Sequence, residues 1–360
     1  MKKLFFFFGM FALLLLVGGA GCFSLTGNSG GTSGPAGVFV SQDRGANWVP
    51  ISAVPTTGGV KNAIDASVYR LIGDPLDSHT LYWLSREQGL FFSYNDGREW
   101  HKVDGPLGNG FVYALAVHPK DKCTILATNG GQLYRTDDCG RSWAEIYREN
   151  RSDVHIASLL FNPFLPSQIF MAVSGGDLLE SVDSGKSWKL LTRFPGSIVD
   201  IQADPLRKHV FYVAGRNDGL YRSDNDGADW LSLKETMKDF PGALENRRLL
   251  IHPQRAHELF WVSTYGIMVS RDDGESWRSL DLITPPGSVQ IYGFAVNPND
   301  DRQIYYTATI NDRSTFYKSM DGGVHWVTSK LPSGQVPTAL RVHPDQGNVV
   351  YLGFTIPPQQ

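Results

Sequence analysis

An eight-residue phrase returns seven times in this chain, and its spacing limits the possible folds more than any other feature. It reads Ser or Thr, any residue, Asp or Asn, any residue, Gly, two further residues, and Trp. The copies are SQDRGANW (Ser41–Trp48), SYNDGREW (Ser93–Trp100), TDDCGRSW (Thr136–Trp143) and SVDSGKSW (Ser181–Trp188), then SDNDGADW (Ser223–Trp230), SRDDGESW (Ser270–Trp277) and SMDGGVHW (Ser319–Trp326). Successive copies are 52, 43, 45, 42, 47 and 49 residues apart, and they use seven of the nine tryptophans. A period of this length belongs to architectures built by stacking one supersecondary unit.

A second phrase interleaves with the first. It is an apolar run ending in Asp, His or Asn followed by Pro, at Pro75, Pro119, Pro163, Pro205, Pro253, Pro298 and Pro344. The fourth residue before each Pro is large and apolar: Leu71, Leu115, Leu159, Ile201, Leu249, Phe294 and Leu340. Burial with period two marks a strand, and Pro stops it by removing a ladder donor. Each unit then reads as strand A ending at X-Pro, strand B, a Gly-rich turn, strand C, the eight-residue phrase, and strand D beginning near the Trp. Four short antiparallel strands per unit are the signature of a propeller blade.

The first eight-residue phrase has no strand A or B before it, and the last X-Pro phrase is followed only by VVYLGF and a short tail. The two ends complete one blade. The expectation is an all-β chain, a single seven-bladed β-propeller of four-stranded antiparallel blades over residues 38–357, closed by N- and C-terminal strands sharing a blade. Closure also removes sheet edges that invite aggregation.

The residue types of the phrase suit a turn. The carboxylate or amide at its third position (Asp43, Asn95, Asp138, Asp183, Asn225, Asp272, Asp321) can bind nearby backbone N–H groups. Gly tolerates positive φ. The Trp (Trp48, Trp100, Trp143, Trp188, Trp230, Trp277, Trp326) plants a large ring between neighbouring sheets. A metal site at each Asp is disfavoured, since Asn replaces it twice and calcium takes 6–8 oxygens. No metal and no cofactor are expected.

The pattern resembles the Asp-box, or BNR repeat, which in its families is a structural turn facing away from the binding site. The whole repeat region resembles the photosystem II stability/assembly factor family, whose propellers hold assembly intermediates without catalysis. It is also similar to sortilin-type receptor propellers, which have ten blades, and to sialidase and xyloglucan-cleaving propellers. The resemblance implies a non-catalytic binding module, with a glycosidase or a ligand-capture domain as alternatives. The sialidase Arg-Ile-Pro-type motif has only TRFP (Thr192–Pro195) as a counterpart, in mid-chain. Of the candidate acids Asp65, Asp153, Asp200 and Glu245, no two are singled out as a hydrolytic pair.

The strand order puts the X-Pro turns and the eight-residue turns on one face. The B–C turns and D-to-A loops lie on the other, here called the top. Binding residues expected there are Arg86, Arg151, His155, Arg216, Arg247, Arg248 and Tyr265, and two long D-to-A connections, after Trp48 and after Trp230, are expected to reach it. The partner is a protein or a glycan, and the module is expected to be monomeric. A net charge of −3 gives no basic excess of the kind nucleic-acid binders carry.

The N-terminus carries Lys2, Lys3, a 14-residue apolar run (Leu4–Val17) and Ala20-Gly21-Cys22. This is the layout of an export signal. It resembles a lipoprotein signal with Cys22 as the acylated residue, although Gly19 stands where that pattern prefers Leu. An ordinary cleaved signal and an uncleaved anchor remain as alternatives. Residues 1–22 are thus read as the signal, and 23–37 as a flexible Ser/Gly-rich tether, so the domain is expected in the cell envelope, exported and membrane-anchored. The other cysteines, Cys123 and Cys139, flank Gly130-Gly131 symmetrically. A hairpin turn there places them opposite each other, and export lets a disulfide persist.

Overall fold

Seven four-stranded antiparallel sheets form the molecule described by the computed structural model, which covers residues 33–357. Cys22 and most of the tether lie outside the described residues. Blade 1 comprises Arg70–Gly73, Leu81–Leu84, Leu90–Ser93 and His101–Lys102, from inner strand A to outer strand D. Blades 2 to 6 repeat this order, with inner strands Ala114–His118, Ile156–Phe161, Ile198–Ala203, Asn246–Ile251 and Gln290–Asn297. Blade 7 takes strands A and B from the C-terminus (Val336–Val342, Val350–Thr355) and C and D from the N-terminus (Gly37–Ser41, Val49–Pro50). Gly37 to Ser41 pair antiparallel with Phe354 back to Val350, so the first strand closes the ring on the last.

Apolar residues on both faces of the middle strands make the core. Phe211–Gly215 is buried throughout, as is Leu259–Ser263, because each sheet is covered by a blade on either side. A fully buried Leu or Phe contributes about 1.5–3 kcal/mol, so the stack of inter-blade layers dominates the stability. The tryptophans lean on the preceding blade: Trp326 Nε1 donates to the Asp281 carbonyl at 2.7 Å and Trp100 Nε1 to the Ile51 carbonyl at 2.6 Å. Trp100 is fully enclosed; the other six of the repeat are partly exposed.

The eight-residue phrase makes the same turn seven times. Its Ser or Thr hydroxyl donates to the Asp or Asn Oδ1 at 2.7–3.0 Å. The same hydroxyl accepts the Gly N–H at 2.7–2.9 Å. Oδ1 accepts the N–H of the residue before Trp at 2.8–3.0 Å. Asn95 and Asn225 work because only an acceptor oxygen is needed. The fourth residue and the Gly are both left-handed, at φ +59° to +76° and +79° to +91°. In every blade the fourth residue's N–H donates to a carbonyl of the A–B turn at 2.9–3.2 Å. The phrase therefore fastens the C–D turn to the A–B turn on the bottom face.

A side-chain clip reinforces that bond in several blades. His79 Nδ1 lies 2.9 Å from Asp96, His209 Nδ1 2.5 Å from Asp226, and His257 Nδ1 2.6 Å from Asp273. In blade 2 the two corresponding positions are Cys123 and Cys139, which form a disulfide. The reason differs from the hairpin symmetry expected from the sequence. The ladder pairs Ile125 with Thr136 and Thr128 with Leu133, so position 138, not 139, faces Cys123. The cysteines meet because both stand where the other blades place their clips.

The residue before each Pro is also explained. Asp74, Asn162, Asp204 and Asn297 accept, through Oδ1, the N–H two residues on; His118, His252 and His343 accept it through Nδ1. Asp, Asn and His share a side-chain acceptor at this reach.

The two long connections do not reach out as arms over the mouth. The first folds into a hairpin, Ala53–Thr56 with Gly59–Asn62, whose Ala53 carbonyl accepts the Trp100 N–H at 2.8 Å beside strand D of blade 1. The second buries Leu233, Met237 and Ala243, and the Ala243 carbonyl accepts Trp261 Nε1 at 2.7 Å.

Candidate functional site

The inner strands surround a lumen, and the fifth residue before each X-Pro proline marks one level of the ring. Around the ring these are Arg70, Ala114, Ser158, Asp200, Arg248, Gly293 and Ala339. Arg70 on blade 1 reaches across to Asp200 on blade 4, with Nη1 3.9 Å from Oδ1. Asp200 also accepts Ser158 Oγ at 2.7 Å and Gln202 Nε2 at 2.8 Å. Arg248 on blade 5 reaches past blade 6 and donates to the Thr338 carbonyl on blade 7 at 3.0 Å. Arg248 was expected on the top surface; it lies inside the lumen instead, because one strand position separates it from exposed Arg247.

Burial governs the charge of this pair. It pulls the Arg248 guanidinium down to about 10, Arg70 pulls the same way, and Asp200 opposes. Burial also weighs on Arg70, but Asp200 outweighs it and the net shift is upward. Both stay cationic at neutral pH, with one carboxylate between them. Two positions further down, Arg341 is pushed downward by burial, and its Nε has no hydrogen-bond partner.

Above the lumen, one residue earlier on the strands, stand Tyr69, Tyr113, Arg247 and Tyr292. Tyr69 meets Phe111 edge-on at 4.8 Å, Phe111 stacks on Tyr113 at 3.9 Å, and Tyr113 packs on His155 at 4.5 Å. The Arg86 guanidinium, from the blade 1 B–C turn, lies over Tyr69 and Phe111 at 5.6 and 5.7 Å. Arg247 lies over Tyr292 at 5.5 Å and donates to Gln290 Oε1 at 2.9 Å. Burial, with Arg216 nearby, holds His155 below its ordinary value, so the imidazole is neutral at pH 7. The mouth is thus aromatic with cationic edges.

The remaining expected residues lie further out. Arg151 is engaged by Glu149 at 2.9 Å and Asp177 at 2.8 Å. Tyr265 packs edge-on against Phe240 at 5.2 Å. Arg216 is exposed. The sequence reading did not single out Tyr69, Arg70, Phe111, Tyr113 or Tyr292. The signal was present as the position where the X-Pro strands stop agreeing.

The four candidate acids do not converge. Asp200 is held by lumen partners, Glu245 accepts Thr264 Oγ1 at 2.7 Å, and Asp65 and Asp153 are exposed; none shares a hydrogen-bond partner with another. On the opposite face His79, Asp96 and His343 bring one ligand atom each within 4.8 Å of one another, a grouping the sequence spacing does not suggest. His343 Nδ1 accepts the N–H groups of Asp345 and Gln346, both at 3.1 Å, so its proton sits on Nε2 and points at Asp96, 3.3 Å away. A nitrogen that carries the proton offers no lone pair to a metal. The trio is a hydrogen-bonded brace.

Fold and lumen define a seven-bladed β-propeller with a cationic core and an aromatic mouth. The Sortilin-Vps10 family (sortilin, neurotensin receptor 3) matches residues 36–158. The chain is 30% identical over 114 residues to an oligoxyloglucan-reducing end-specific xyloglucanase of Emericella nidulans, covering 30% of this chain and 14% of the relative. It is 24% identical over 101 residues to the vacuolar protein sorting/targeting protein 10 of Zygosaccharomyces rouxii, covering 28% of this chain and 6% of that one. The chain thus spans a small fraction of these curated relatives. The GH74 xyloglucanase from Xanthomonas campestris superposes with a TM-score of 0.64 at 16% identity, over 81% of this chain and 51% of that one. YCF48 bound to D1 peptide superposes with a TM-score of 0.58 at 16% identity, over 81% of this chain and 92% of that one. YCF48 from Cyanidioschyzon merolae gives 0.56 at 15% identity, over 80% and 95%. At these identities the likeness is one of fold, shared by enzymes and peptide-bound propellers alike.

Proposed function

We propose that this protein is an exported, lipid-anchored, non-catalytic propeller that captures a protein partner at its top mouth. The observation that carries the reading is the mouth itself, where Tyr69, Phe111, Tyr113 and Arg86 offer large, preorganised side chains of the kind enriched at binding hot spots. YCF48, a propeller of similar extent, has a structure bound to D1 peptide.

The chain path fixes where the tether meets the propeller. The Ser33 carbonyl accepts the Gly334 N–H at 2.9 Å, and Gln335 Nε2 donates to the Gly34 carbonyl at 3.1 Å, both in the D-to-A loop before blade 7. The chain therefore joins the propeller on the top face. From an acylated Cys22, an extended tether to Ser33 spans at most about 40 Å.

The test is crosslinking and pull-down from the native envelope with wild-type protein, Arg86→Ala/Tyr113→Ala and the bottom-face control Leu206→Ser. Loss of a specific protein with the mouth variant alone is expected; equal capture by all three overturns the reading. A second reading, a glycoside hydrolase, draws on the aromatic ladder, which suits sugar stacking, and on the xyloglucanase likeness. Turnover of a xyloglucan oligosaccharide, abolished by one acid-to-amide substitution, would establish it instead.

A further inference from the structure

We infer that the lumen holds a binding site for a single oxyanion, a carboxylate or phosphate group, between Arg70 and Arg248. The inference stands on the lumen alone and does not depend on the identity of any partner at the mouth.

Two guanidinium groups enter the same level of the lumen, and one carboxylate answers them. Arg70 meets Asp200 only at 3.9 Å, beyond direct hydrogen-bond reach. Asp200 is instead occupied by Ser158 at 2.7 Å, Gln202 at 2.8 Å and the Ile201 N–H at 3.1 Å. Arg248 carries five N–H donors and makes one hydrogen bond to a protein acceptor, the Thr338 carbonyl. Most of the donors at this level are thus left for a ligand or water. Cationic groups inside a protein are costly unless paired and hydrogen-bonded. A planar guanidinium with free donors is matched by the two oxygens of a carboxylate or phosphate.

Water reaches the site. The side chains of Arg70 and Asp200 keep 29% and 21% of their exposure, so solvent reaches them.

The probe is inorganic phosphate, with acetate as the carboxylate counterpart, titrated at constant ionic strength into the full-length protein and read by calorimetry and thermal unfolding. Saturable binding is expected, weakened at least about tenfold in Arg70→Met and in Arg248→Met, since each removes half of the charge-assisted contacts. Asp200→Asn, which keeps the shape and removes the competing charge, is expected to tighten it. Arg278→Met, on an outer strand, is expected to bind as wild type does. Phosphate binding well above acetate assigns the site to a free phosphate; comparable binding of both, with displacement of an acidic peptide by phosphate, assigns it to the carboxylate of a larger ligand. Should an arginine variant fail to fold, Asp200→Asn still decides. Absence of saturable binding in the wild type, or binding unchanged in the lumen variants, overturns the inference.

Discussion

Ser181→Ala tests whether the repeated phrase is a fastener. Ser181 is 1% exposed, and its hydroxyl serves three groups at once. It donates to Asp183 Oδ1 at 2.7 Å, accepts the Gly185 N–H at 2.8 Å and accepts the Asp183 N–H at 3.4 Å. Alanine removes the hydroxyl and leaves the buried Gly185 N–H without its acceptor. A net hydrogen bond contributes about 0.5–1.5 kcal/mol, one to an ionised group about 1.5–3, and an orphaned buried donor costs about 1–3. These overlap, and the expected loss is about 2–4 kcal/mol. Ser181→Thr should lose far less, because Thr136 makes the same contacts in blade 2, at 2.7, 2.9 and 3.2 Å. The assay is urea unfolding followed by tryptophan fluorescence, with exposed Lys186→Ala as control. If Ser181→Ala unfolds at the same urea concentration as the control, the hydroxyl is not the hub of the turn. The same result would return Asp183 to consideration as a functional acid.

Other perturbations separate the remaining features. Replacing Cys123 and Cys139 together by serine opens a loop of sequence separation 16 and should cost about 3 kcal/mol by loop entropy, read from the shift in unfolding midpoint. Trp100→Ala, at the fully enclosed position, should cost about 3–5 kcal/mol, and the partly exposed Trp230 clearly less; equal losses would refute the difference in enclosure. Hydrogen bonds from Asn47, Ser142 and His325 hold Asp43, Asp138 and Asp321 at about 2, below the unfolded value of 3.8. Their contribution is therefore present above about pH 4 and lost as pH falls toward 2. The hydrogen bond to Asp96 raises His79 above its ordinary 6.5, so that contribution is full below this value and fades as pH rises through the higher folded value. A His79→Gln variant should flatten thermal stability between pH 6 and 8 relative to wild type.

The ring was legible in the sequence because repeats amplify a weak local signal. One Ser-X-Asp-X-Gly turn says little, whereas seven at blade spacing dictate strand order, which face holds the turns and how the ends share a blade. Asn95 and Asn225 already argued for hydrogen-bond acceptance, and in all seven turns the Oδ1 of the third residue accepts a backbone N–H. The pairing of Cys123 with Cys139 was also anticipated, but for a reason the ladder does not support.

The lumen was not legible, and the cause is geometric. Arg70 and Asp200 are 130 positions apart in the chain, and Arg248 and Thr338 are 90 apart. No period relates them, because they face each other across an axis that exists only once the blades have closed. Arg247 and Arg248 look alike in the sequence, yet one step along strand A puts the first at the mouth and the second inside. His79, Asp96 and His343 looked unrelated and meet at the junction of the first and last blades. The sequence alone determined everything that repeats: strand periodicity, turn chemistry and ring closure. Tertiary structure decided everything that does not, because burial, charge balance and contacts across the lumen depend on which blades stand opposite one another.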